Sequence, residues 1–367
     1  MRVRRQALRP WFAPALTAAA RMIPFPAGFY YRFFTRPRRL REAFLGSLRR
    51  MAGVGSIDTS STPAPAPAER AGHARVPTLA PRYDVVVVGA GVSGMAAAVA
   101  AATTGAGVLL VDEYSWLGGH SIGALGNEAV PAARDDLAAA VAAAGGITVS
   151  LGTTVQALYA DRTLMVSRGA PPAMERIRAA VVILATGAFD TIPLFANNDL
   201  PGVLGTRGLR LFLERDGIVP GRRALVYGTG READDAAALL QSHGVAIAAR
   251  VEEGRLVGVD GRDWVRSARV ESGGGNRRVA CDLVCVALTG QPDFTLTQQA
   301  GFSFELEGMG GLGVMRPTGE RVEVGGQRVF LVGETAGVTD WLGKIEHAAA
   351  AGRDAARRVD RTAGRKP

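Results

Sequence analysis

The sequence has few of the residues that small-molecule chemistry most often uses. Its 367 residues include two cysteines and four histidines, and aromatic residues make up 6%. With only Cys281 and Cys285, the chain has neither a disulfide framework nor a four-cysteine iron–sulfur or zinc site of its own. If residues 281–287 form a strand, as their alternation suggests, the two cysteines stand ~13 Å apart at ~3.3 Å per residue. That is too far for a disulfide. They also share one face with residue 283, so they read as core residues and not as a dithiol redox pair. His73, His120, His243 and His347 have no metal-ligand spacing, and no metal site is expected. No run of 18 apolar residues occurs, so no transmembrane helix is expected. Pro10 and Pro14 interrupt the only apolar stretch near the start, which argues against a secretory signal and for a cytoplasmic protein.

Glycine and charge are abundant but unevenly placed. The formal net charge is +9, yet residues 1–50 carry twelve arginines against one acid, Glu42. That arm alone contributes +11 and leaves about −2 for residues 51–367. Nucleic-acid binding would therefore rest on the arm, which carries no recognisable binding motif. The arm, residues 1–52, is also aromatic: nine of the 23 aromatic residues lie there, five of them in "GFYYRFF" (28–34). Disordered segments are usually aromatic-poor. Leu40, Phe44, Leu48 and Met51 recur at helical spacing, so the arm reads as a docking element. Its target is the chain itself, a partner or a membrane surface. Residues 53–80 are rich in Pro, Ala and Ser and read as a linker.

The remainder alternates strands and helices in the manner of a doubly wound α/β sheet, and does so twice. The expected division is a first unit in two segments, 81–205 and 318–360, with a second unit, 206–317, inserted in it.

"DVVVVGAGVSGMAAA" (84–98) opens the first unit with an apolar strand, a glycine turn and a helix start. Gly89 permits the tight turn, Gly91 lets a pyrophosphate approach the backbone, and Gly94 lets the helix pack on the strand. Val92 and Ser93 begin the helix, whose N-terminal N–H groups and dipole favour phosphate. The next strand ends in Asp112-Glu113, where Asp112 is placed to accept a hydrogen bond from a ribose hydroxyl. In the second unit, "RALVYGTGREADDAAALL" (223–240) repeats the pattern through Gly228, Gly230 and Ala233. There Glu232, Asp234 and Asp235 crowd the helix start and would repel a pyrophosphate. The following strand ends Arg250-Val251-Glu252, read as lacking an acid equivalent to Asp112. An NAD(P) ligand at this second site stays open, with an empty site slightly favoured.

Three further motifs follow in order: "LGGH" (117–120), "VVILATGAF" (181–189) and "RVFLVGETAG" (328–337). The ordered set resembles the two-dinucleotide-binding flavoproteins of glutathione-reductase-like fold. The resemblance implies FAD at the first site, with NAD as the alternative. It adds Gly118, Gly119, Thr186, Gly187, Gly333 and Glu334 to the nucleotide-site residues. The last pair would face the flavin's ribityl and phosphate groups. Glu334 stands where that superfamily usually has Asp. His120, directly after Gly119, is a candidate cofactor contact.

"PAGFYYRFFTRPRRLREAFLGSLRRMAGVG" (26–55), "LATGAFDTIPLFANNDLPGVLG" (184–205) and "LERDGIVPGRRALVYGTG" (213–230) are more specific. Together they resemble the α (A) subunits of the heteromeric sarcosine oxidase, opine oxidase and hydrogen cyanide synthase family. The resemblance implies a dinucleotide-binding subunit of a multisubunit amine or amino-acid oxidase or dehydrogenase. An amine-oxidising flavoprotein and a small [2Fe–2S] protein would be its partners. A stand-alone NAD(P)H-dependent flavin reductase and a structural subunit with bound NAD are the alternatives. The ferredoxin-like and folate-binding modules that flank this region in sarcosine oxidase α are not represented in the sequence. Folate chemistry and an internal iron–sulfur relay are therefore not carried over.

Overall fold

The computed structural model describes residues 79–120, 129–169, 172–273, 275–308, 313–322 and 328–359. The expectations for the arm, for motif 26–55 and for all but the end of the linker lie outside these residues.

The chain begins with β1 (Arg82–Val88), α1 (Val92–Ala102), β2 (Val108–Val111), α2 (Ala129–Ala143) and β3 (Ile147–Ser150). A hairpin, β4 (Thr153–Leu158) and β5 (Thr163–Arg168), leads into the long β6 (Ala173–Leu184) and short β7 (Ala188–Phe189). Next come β8 (Val203–Gly205), α3 (Thr206–Arg210), a π-helical turn (Leu211–Arg215), β9 (Arg223–Tyr227), α4 (Gly230–Ser242) and β10 (Ala246–Val251). A meander of β11 (Arg255–Gly261), β12 (Val265–Ser272) and β13 (Gly275–Ala280) precedes β14 (Leu283–Val286) and β15 (Gln291–Pro292). The last part holds α5 (Thr295–Gln299), β16 (Phe304–Glu307), β17 (Val314–Pro317), β18 (Arg321–Val322), β19 (Val329–Leu331), a 3-10 turn (Gly333–Ala336) and α6 (Trp341–Arg357).

The first sheet has the order β18-β19-β6-β1-β2-β3, with the β4–β5 hairpin attached through β5 to the start of β6. From β19 to β3 the strands are parallel. Val85 to Val88 are all buried, because both faces of a parallel sheet are covered. Val85 and Val87 join the core under α1 and α6, and Val86 and Val88 join the core on the other face. The small residues have a packing purpose. A Cβ on Gly352 of α6 would stand 2.3 Å from the Ala97 carbonyl oxygen of α1, so the two helices meet backbone to backbone. Met95 of α1 is fully buried in the same core.

The second sheet, β10-β9-β14-β8, is all parallel. Ala224 and Val226 of β9 face α4, while Leu225 faces the antiparallel β11-β12-β13 meander. The two crossings between the sheets pair with each other: Phe189 of β7 opposes Gln291 of β15, and Ala188 opposes Pro292. β8, expected in the first unit, lies in the second sheet, and Leu296, Ala300 and Phe302, expected in the second unit, pack in a core of the first sheet.

Two other expectations change. The helix expected over 206–215 is α3 followed by a π turn, a local widening that one extra residue introduces. The cysteines do not share a face. Only residues 283–286 form the strand; Cys285 lies in the core under α4 and Cys281 in the core under the meander. Both are buried, and burial pushes the Cys281 thiol up to about 11 and Cys285 higher still.

Candidate dinucleotide site

A cavity of about 400 Å³ opens at the carboxyl ends of β2, β1, β6 and β19, where ligands of open α/β sheets bind. Its wall includes Gly89, Gly91, Val92, Ser93, Asp112 and Glu113. Gly118, Gly119, His120, Thr186, Gly187 and Glu334 complete the expected set there. Gly94 and Gly333 stand behind the wall and act through packing. A Cβ on Gly94 would fall 1.8 Å from the Gly89 carbonyl oxygen, and one on Gly333 would fall 2.3 Å from Ser93 Oγ. At Gly91 the same construction meets nothing within 4 Å. The helix start is therefore an open cradle with room for a pyrophosphate, which fits a dinucleotide.

The glycine segments support one another. Gly91 and Gly118 form a parallel bridge, and Gly118 N donates to the Ala90 carbonyl at 2.8 Å. Asp112, 8% exposed, accepts hydrogen bonds from Ala90 N at 2.5 Å and Tyr114 N at 2.8 Å. Burial outweighs these donors and raises its carboxyl above the usual range. Thr335 Oγ accepts from Gly187 N at 2.7 Å and lies 3.3 Å from Thr186 Oγ, so it joins the ends of β6 and β19.

The wall also holds residues that sequence reasoning missed. Thr153 to Gln156 come from the start of β4, beside Asp112. Trp341 and Lys344 come from the first turn of α6, capped by Asp340, which accepts from Gly343 N at 2.6 Å. The one available signal for them was position, one turn after the "GETAG" motif.

Lys344 Nζ donates to Glu334 Oε1 at 2.5 Å, and Arg207 Nη2 donates to Glu334 Oε2 at 2.9 Å. Burial alone would raise Glu334, but Lys344 and Arg207 outweigh it and hold the carboxyl down at about 2. Lys344 also stands 4.3 Å from the Trp341 ring centre. Burial, helped by the Arg207 cation, lowers His120 below its ordinary value, so its imidazole is neutral at pH 7.

The second glycine turn differs from its sequence reading. Val251 opposes Tyr227 as Val111 opposes Val88, and Gly228 N bonds to Val251 O as Gly89 N bonds to Val111 O. Glu252 therefore occupies the position equivalent to Asp112, and an acid is present after all. The expectation failed because a register shift between Ile247 and Ala249 moves the strand end. Glu252 is paired with Arg250 at 2.9 Å. The three acids of α4 are also paired: Glu232 with Thr206 and Arg210, Asp234 with Arg250 at 2.5 Å, and Asp235 with Arg231 at 3.8 Å. Among the described residues no group of His, Cys, Asp and Glu could hold a metal ion. None of the described helices is long and apolar enough to cross a membrane.

Two parallel sheets, each opened by a strand, a glycine turn and a helix, form the two-dinucleotide-binding fold shared by FAD/NAD(P)-dependent oxidoreductases. Residues 83–252 match the family described as pyridine nucleotide-disulphide oxidoreductase. Over the aligned region the chain is similar to the sarcosine oxidase α subunits. It is 32% identical over 259 residues to sarcosine oxidase subunit alpha of Rhizobium meliloti, covering 66% of this chain and 25% of that protein. It is 34% identical over 253 residues to the subunit of the same name from Corynebacterium, covering 64% and 24%. The chain thus spans about a quarter of the length of these relatives. The crystal structure of L-proline dehydrogenase from P. horikoshii shares the fold, with a TM-score of 0.61 and 23% identity over 74% of this chain and 54% of that one.

Proposed function

We propose that this chain is the dinucleotide-binding subunit of a multisubunit amine or amino-acid oxidase or dehydrogenase, holding FAD in the cavity and taking part in electron transfer and assembly. The observation that carries the reading is the cavity itself. A glycine cradle open at Gly91, an acid at Asp112 and a polar far end at Thr186, Gly187 and Glu334 lie along four strand ends. Homology to sarcosine oxidase α subunits supports the heteromeric context.

A bound flavin supplies the redox step. In this reading the chain's own groups bind and orient it. The α1 N-terminus takes the pyrophosphate, and Asp112 takes the adenosine ribose. Glu334 accepts from a hydroxyl of the second half. Neutral His120 offers a hydrogen bond without adding charge, and the Trp341 ring lines the wall beside Lys344. The proposed partners are an amine-oxidising flavoprotein subunit and a small [2Fe–2S] protein, in the cytoplasm.

The test is an absorbance spectrum of the purified chain, with mass identification of whatever a mild denaturant releases. A yellow protein releasing FAD is expected. A colourless protein releasing NAD would replace the flavin assignment with an NAD-holding subunit. Isolation of the native complex by a tag on this chain tests the partner assignment.

A further inference from the structure

We infer that Arg207, carried by the helix that follows the second sheet's strand β8, is a positioning residue for the dinucleotide site of the first sheet, acting through Glu334. The inference rests on the cavity reading above and extends it. The second unit would complete the cofactor site of the first.

Arg207 stands where the two crossings meet. Asp190, just after β7, accepts from the backbone N–H groups of Arg207 at 3.1 Å and Gly208 at 3.1 Å. The same carboxylate also receives Arg207 Nη1 at 3.3 Å. Gly290, just before β15, lies under the guanidinium: a Cβ there would fall 2.6 Å from Nη2. Backbone and side chain of Arg207 are therefore both held, and the remaining donor face is aimed at Glu334 Oε2, 2.9 Å away. Arg207 is 7% exposed and does not line the cavity, whereas Glu334 does.

Glu334 is thus held by one cation from each sheet's segment, with Arg207 on Oε2 and Lys344 on Oε1. A carboxylate offers about four lone-pair sites, so each oxygen keeps capacity for a further donor. The ligand chemistry that fits is a polyol hydroxyl, shared by the ribityl chain of FAD and the second ribose of NAD. Without Arg207 the carboxylate would be free to turn toward Lys344 alone, and its orientation toward the ligand would be lost.

The geometry separates this contact from the adenosine end. Asp112 follows β2 and Glu334 follows β19, three strands apart in the order β19-β6-β1-β2. At ~4.8 Å per strand that is about 14 Å. A ligand confined to the adenosine half would be indifferent to Arg207, and a whole dinucleotide would not.

Titration calorimetry on the full chain, stripped of bound nucleotide, with ADP, FAD and NAD tests this. The wild type is expected to bind ADP and at least one dinucleotide. Arg207→Met should weaken that dinucleotide about tenfold or more, ~1.4 kcal/mol, with ADP unchanged within about twofold. Gly290→Ala, which keeps the arginine but displaces its guanidinium, should give the same selective loss and decides the matter if Arg207→Met does not fold. Equal losses for ADP and dinucleotide, or no loss in either variant, would overturn the positioning role alone. A wild type that binds none of the three would overturn the cavity reading, and the positioning role with it.

Discussion

Asp112 Oδ2 accepts a hydrogen bond from Ala90 N at 2.5 Å, so the acid at the end of β2 holds the glycine turn at the end of β1. Its other oxygen takes Tyr114 N at 2.8 Å. The carboxylate that would read a ribose is also what shapes the phosphate cradle. Asp112→Ala leaves two N–H donors without their acceptor. A loss of about 1–3 kcal/mol is expected, together with weaker ADP binding. Denaturant unfolding and calorimetry of the variant check both; full retention of ADP affinity would count against the ribose role.

Gly91 is the reverse case, a position where the fold tolerates change and the ligand does not. Its backbone is at φ −66 and ψ 178, an extended conformation suited to a β-branched residue, and an added Cβ meets nothing within 4 Å. Gly91→Val should therefore keep a Tm close to that of the wild type and lose the cofactor. Normal retention of cofactor in that variant would sink the site assignment.

The Glu334 pairings predict a pH dependence. The carboxyl is held at about 2 in the folded chain and titrates at about 4.3 when unfolded. Its contribution is complete above the unfolded value and disappears as pH falls from about 5 toward about 2, a difference on the order of 3 kcal/mol. Glu334→Gln should lose most of that stability at pH 7, because two buried cations lose their anion. The gap between variant and wild type should narrow on acidification. Urea midpoints at pH 7 and pH 3 measure it, and a gap independent of pH would disprove the assignment.

Cys281 and Cys285 lie in cores on opposite faces of the second sheet, with burial holding both thiols protonated. A thiol reagent at pH 8 is expected to find neither in the native chain and both after denaturation. Rapid reaction of either thiol in the native state would contradict the packing.

The first β-turn-α unit was legible in the sequence because its signals are local. An unbroken apolar run marks a strand covered on both faces, and glycines at fixed offsets mark a turn too tight for side chains. Gly89, Gly91, Val92, Ser93, Asp112 and Glu113 reach the cavity wall for this reason. Gly118, Gly119, Thr186, Gly187 and Glu334, which the resemblance supplied, and His120 beside Gly119 reach it too. Gly94 and Gly333 support it from behind. The hairpins β4–β5 and β16–β17 and the β11–β13 meander were not legible. Their strands, four to eight residues long, carry no unbroken apolar run of four and no glycine turn of fixed spacing, which are the local signals that marked β1 and β9.

Sequence by itself determined the two glycine turns, the acid at the end of β2 and the α/β class, since each follows from residues within a few positions of one another. Tertiary structure decided what depends on register and distant packing. It set Glu252 opposite the second turn through a register shift, placed the two cysteines on different faces, and brought Trp341 and Lys344 into the cavity. It also joined Arg207 to Glu334, 127 residues away. An ion pair of that span leaves no local pattern, because what forms it is the docking of elements that become neighbours only when the chain has folded.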